Sequence, residues 1–225
     1  MTEEEWLACN DPGALIPLSW ERNQKRKVRL FGCACCRRIW ELLIHPTSRS
    51  AVEIAERYAE GNAERSELDR AAEGARRASE LAHNGGEPFS SLVYARPGAY
   101  ESAAHAAYTL ARPSRPAGWP LMRETAEAAS DAAGRVTERA EQIALVRDIF
   151  GNPFRPISLA PEWRTPTAVA LALRMYDARN FDAMPILADA LQDAGCENGD
   201  ILNHCRGNQP HVRGCWVVDL ILGKG

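Results

Sequence analysis

The sequence predicts an all-α fold, an irregular helical bundle with a Pro-rich strap near residues 151–165. Three observations carry this. Apolar residues recur at spacings of three and four over long stretches. Alanine dominates the interior of those stretches. Pro and Gly punctuate them at intervals suited to helices of 8–20 residues. The chain has 225 residues, 45% hydrophobic and 25% charged, with a net charge of -3. That composition fits a globular protein and excludes wholesale disorder. It points globally to neither a nucleic-acid nor a membrane partner. No apolar run reaches the roughly 18 residues that span a bilayer. MTEEEWLACN lacks a basic-then-apolar leader, so a cytoplasmic protein is expected. One helical domain over 1–225 is expected, with 1–112 and 121–225 as its subdivision.

The helices follow in order. Arg26 to Ile44 places Val28, Phe31, Cys35, Ile39 and Leu42 on one face. Pro46 should end that segment and Ser48 cap a helix running to about Gly61. Ser66 and Asp69 form a variant capping box before an Ala-rich helix ending near Asn84. Residues 85–99 read as a loop, Tyr100–Ala111 as a short helix, and 112–120 as a Pro-rich break. Leu121–Phe150 is one long Ala-rich segment with Gly134 as its kink. The strap, GNPFRPISLAPEWRT, should be pinned by Phe154 and Trp163. Thr165-Pro166 supplies an N-cap and a favoured first residue for a helix to about Arg179. Asp182 caps the next, Gly195 stops it, and Asp200–Arg206 is a short helical turn. Pro210 opens a last helix reaching Leu222.

Seven cysteines fall in two groups: Cys9, Cys33, Cys35 and Cys36, then Cys196, Cys205 and Cys215. An odd number without a secretion signal argues for reduced thiols, as small core residues or metal ligands. The C-terminal set Cys196, His204, Cys205, His211 and Cys215 offers the thiolate and imidazole ligands that a structural zinc requires. On a helix, His211, Cys215 and Asp219 would share one strip. An N-terminal cysteine is a further candidate ligand. The same cluster supports a second reading, a metal- or thiol-dependent enzyme, although the order along the strip is wrong for a triad. Asp219 is expected to pair with Arg213 or Arg206. Cys33 and Cys36 form a C-x-x-C inside a helical pattern, where close packing is the simpler role.

Arg22, Lys25, Arg26, Lys27, Arg29, Arg37 and Arg38 form a basic run without an acidic residue. It can face an acidic protein partner or, as a third reading, nucleic acid; Glu3, Glu4 and Glu5 can also neutralise it. No phosphate-binding glycine motif, nucleophile elbow or H-E-x-x-H is present.

DIFGNPFRP (148–156), PILADALQDAGC (185–196), ILNHCRG (201–207) and HVRGCWVVDLILGK (211–224) resemble a planctomycete-type bacterial protein family. EEWLAC (4–9) and RLFGCACCRRIWELL (29–43) are similar to its N-terminal segment. The resemblance covers both ends, roughly half of the chain. It implies kinship and a portable C-terminal module, and it brings no catalytic residue with it. The function expected is a non-catalytic helical interaction or scaffold module, with a structural zinc as the candidate cofactor.

Overall fold

The computed structural model describes residues 1–15, 24–86, 88, 98–112 and 119–224. It is all-α: twelve α-helices and no strand among the described residues. None of these helices is long and apolar enough to cross a membrane. The chain divides into two compact units, Met1–Ile143 and Ala144–Gly225. The seam expected between 112 and 121 therefore lies inside the first unit. Arg22, most of the 85–99 loop and residues 113–118 of the Pro-rich break lie outside the described residues.

The first unit holds α1 (Glu3–Ala8), α2 (Pro12–Leu15), α3 (Lys25–Arg38), α4 (Pro46–Ala59), α5 (Arg65–His83), α6 (Ala99–Ala111), α7 (Trp119–Ala133) and the start of α8 (Arg135–Phe150). Alanines make its close packing. Ala71, Ala75 and Ala78 of α5, Ala103 and Ala107 of α6, and Ala126 and Ala129 of α7 are all buried. Such short side chains let helix axes approach near the lower end of the usual 8–10 Å range. The expected single segment 121–150 is two helices. Gly134 adopts φ +105, outside helical space and open to glycine at little cost.

Helix α3 departs from the one-faced stripe. Every residue from Val28 to Cys36 is buried, because α4, α6 and α7 all pack on it. It also ends at Arg38, with a 3-10 turn over Trp40–Leu42. Two expected caps move. Pro46 opens α4 as its first residue, with His45 as N-cap, and Ser48 lies buried within. Proline is suited to that position because its missing N–H is unused there. The capping box of α5 is Glu64 and Glu67, not Ser66 and Asp69.

The second unit continues α8 from Ala144 and adds α9 (Pro166–Ala178), α10 (Met184–Asp193), α11 (Gly199–Arg206) and α12 (Trp216–Leu222). Thr165 caps α9 as expected, its hydroxyl accepting from Ala168 N–H at 3.2 Å. Ala183 and Asn198 cap α10 and α11. Leu187, Leu191, Ile201, Val217, Val218 and Ile221 form the core. Each such buried aliphatic contributes about 1.5–3 kcal/mol of hydrophobic stabilisation. The 151–165 strap is irregular, but Ile157, Leu159 and Trp163 pin it, while Phe154 is 39% exposed and outside the core cluster.

Candidate metal centre

Four side chains of the second unit converge: Asp148, His204, His211 and Cys215. Asp148 lies in the last turn of α8. His204 lies in α11, whose start is held by the Asn198 side chain accepting from Ile201 N–H at 3.1 Å. His211 and Cys215 lie in the loop before α12. The expectation that they share a helical face is corrected here. Helix α12 begins only at Trp216, and Cys215 is its N-cap. A turn closed by Cys215 N–H donating to Val212 C=O at 2.9 Å, with Gly214 at φ +95, brings the two together. Glycine is the residue for which that φ carries no Cβ penalty.

One ligand atom from each residue lies within 4.8 Å of every other. Asp148 Oδ1 stands 2.7 Å from His211 Nδ1 and 3.2 Å from His204 Nε2. Cys215 Sγ stands 3.2 Å from His204 Nε2 and 3.9 Å from His211 Nδ1. The other carboxylate oxygen, Asp148 Oδ2, accepts from Val212 N–H at 3.0 Å. Asp148 and Cys215 are fully buried, and the side chains of His204 and His211 are 11% and 6% exposed. His211 also lines a surface recess of about 430 Å³, together with Arg179, Phe181 and Gln209.

Burial raises the Asp148 carboxyl, but hydrogen bonds from His204 and His211 outweigh it and hold it below the usual range. A buried carboxylate so placed calls for a compensating positive charge, a proton or a cation. Burial, with Asp148 adding to it, pushes the Cys215 thiol well up. The metal-free sulfur is therefore a protonated thiol and a poor nucleophile.

The outer contacts of His204 set its tautomer. Trp216 Nε1–H donates to His204 Nδ1 at 3.1 Å. An indole N–H only donates, so Nδ1 accepts and the ring proton resides on Nε2. Gln209 Nε2 donates to the His204 carbonyl at 2.6 Å and lies 3.5 Å from Nδ1.

Of the five sequence-predicted ligands, His204, His211 and Cys215 come together. Cys196 and Cys205 instead fill the core beside Leu191 and Ile201, and burial pushes the Cys205 thiol up to about 12. No N-terminal cysteine belongs to the group. Asp148 was missed. It lies 63 positions from His211, beyond any local spacing. No local signal in the sequence singled it out as a ligand. Asp219 is buried outside the group; Arg206 pairs with Asp189, and Arg213 donates to the Tyr176 and Asp177 carbonyls.

The basic run is largely turned inward. Arg26 pairs with Glu60, Arg37 with Glu56, and Arg38 with Glu138 and Glu141. Arg29 is buried, donating to the Leu110 carbonyl at 2.9 Å. The carboxylates paired with these arginines lie on α4, at its C-cap Glu60 and on α8. Cys33, Cys35 and Cys36 are sealed in the core, and burial pushes all three thiols well up. Searches of protein-family models, of curated proteins and of solved structures find no match to this chain.

Proposed function

We propose that this chain is a non-catalytic helical module that acts by binding a partner protein. The observation that carries the reading is the connectivity of the buried cluster. A nucleophile–base–acid relay needs an imidazole that meets the nucleophile through one nitrogen and the acid through the other. Here Cys215 Sγ and Asp148 Oδ1 face the same nitrogen of each histidine, Nε2 of His204 and Nδ1 of His211. Four groups aimed at one centre suit holding an ion more than moving a proton along a chain. The sealed, protonated thiols argue the same way against a thiol enzyme.

Nucleic-acid binding is disfavoured, because four of the seven basic residues are engaged within the protein instead of facing phosphates. Seven unbridged cysteines support a reducing, cytoplasmic setting. Kinship with the planctomycete-type family is part of the same proposal, resting on the four C-terminal motifs. Cross-linking in native-like lysate should recover a stoichiometric partner complex, while the purified chain turns over no ester, peptide or phosphate substrate. Reproducible turnover abolished by Cys215→Ser would overturn the reading.

A further inference from the structure

We propose that Asp148 Oδ1, His204 Nε2, His211 Nδ1 and Cys215 Sγ are the four ligands of a structural zinc ion that closes the fold of residues 144–225. Tetrahedral zinc with nitrogen and oxygen ligands near 2.0–2.1 Å and sulfur near 2.3 Å separates its ligand atoms by about 3.3–3.6 Å. Three of the observed separations, 3.2, 3.2 and 3.9 Å, lie within a few tenths of an ångström of that. The fourth, Asp148 to His211 at 2.7 Å, is a hydrogen bond and must open by roughly 0.6 Å. No separation among the four exceeds 4.8 Å, so no ligand needs to swing in from elsewhere.

The donor set selects the metal. One thiolate and two imidazoles exclude magnesium and calcium, which take oxygen, and suit zinc. Charge closes as well: thiolate and carboxylate together balance a divalent cation, so the buried site becomes neutral. Binding releases the Cys215 proton, while each neutral imidazole keeps its ring proton on the nitrogen turned away from the metal. The metal would join the end of α8 to α11 and to the turn before α12, which the chain reaches only after α9 and α10. The second oxygen of Asp148 already holds Val212 N–H, which orients the carboxylate.

The inference rests on the non-catalytic reading in one respect: four protein ligands leave no open position for a water or substrate. The two can fail separately, since a turnover assay decides the one and metal content the other. The full chain, purified under reducing conditions and loaded with zinc, should retain about one zinc per chain through gel filtration. After chelation, Co²⁺ should give tetrahedral visible bands and a thiolate charge-transfer band. Cys215→Ser should remove the charge-transfer band, Cys205→Ser should keep it, and Asp148→Asn should weaken zinc at least about tenfold. Retention below a tenth of an equivalent, no tetrahedral cobalt spectrum from the wild-type chain, or loss of the charge-transfer band in Cys205→Ser with its survival in Cys215→Ser would overturn it. The wild-type stoichiometry and spectrum decide the matter even if a ligand variant fails to fold.

Discussion

Replacing Trp216 by Phe should make the protein bind zinc more tightly, although the residue lies outside the ligand set. In the metal-free protein Trp216 Nε1–H donates to His204 Nδ1 at 3.1 Å, which keeps the ring proton on Nε2. Ligation through Nε2 moves that proton to Nδ1, and two donors then face each other. A buried donor left unsatisfied costs about 1–3 kcal/mol. Zinc binding in small structural sites is worth about 10–16 kcal/mol, so the conflict weakens the site without preventing it. Gln209, 3.5 Å away, can relieve part of it by turning its amide oxygen toward Nδ1. Phenylalanine removes the competing donor and keeps a ring against Gly151, where even a Cβ would come within 3.3 Å of Trp216. The metal-free state loses a hydrogen bond and the metal-bound state loses a clash, so both changes favour binding. At 1.4 kcal/mol per factor of ten, the gain is about 5- to 150-fold. Competition against a chromophoric chelator at fixed pH measures it, with circular dichroism showing both metal-free proteins folded. Equal or weaker affinity in Trp216→Phe would refute the tautomer assignment.

Three further outcomes follow from the first unit and the thiols. A Cβ on Gly32 would lie 2.5 Å from Met122 Sδ and 2.9 Å from Leu110 Cδ1, both themselves buried, so Gly32→Val should cost about 1–3 kcal/mol in a urea melt. Cys9 is the one cysteine outside the core; a thiol reagent at pH 8 should modify it quickly in the metal-free native chain and reach the other six only on denaturation, as peptide mapping will show. Burial raises the Glu138 carboxyl, against the opposing pull of Arg38, so the folded state holds its proton above the unfolded range near 4.5. Stability from this group therefore falls as pH rises from about 4.5 through the raised value. The melting temperature of wild type minus that of Glu138→Gln should fall over that window, and a constant or rising value would contradict the assignment.

How much of this was legible beforehand differs from element to element. The helix over 166–178 was readable because its determinants are local: a Thr hydroxyl three residues from the N–H it caps, and a proline where no donor is needed. The position of Gly134 was readable for the same reason, although as a kink in one helix and not as the break between two. The surroundings of α3 were not. A 3.6-residue period identifies one apolar face, whereas burial of Arg29, Leu30 and Cys33 on the others depends on which helices wrap around it. Arg29 looked like a surface cation and is a buried donor to a carbonyl 81 positions away.

The site divides along the same line. Residue type alone nominated His204, His211 and Cys215, because few side chains offer soft nitrogen and sulfur donors. Their companion and their geometry belong to the tertiary structure. Asp148 meets His211 only when the end of α8 lies beside the turn preceding α12, and Cys205, chemically as good a ligand, is turned by its helix into the apolar core. Ligand identity resides in single residues. Convergence on a point depends on how separate helices pack, which no periodicity along the chain encodes.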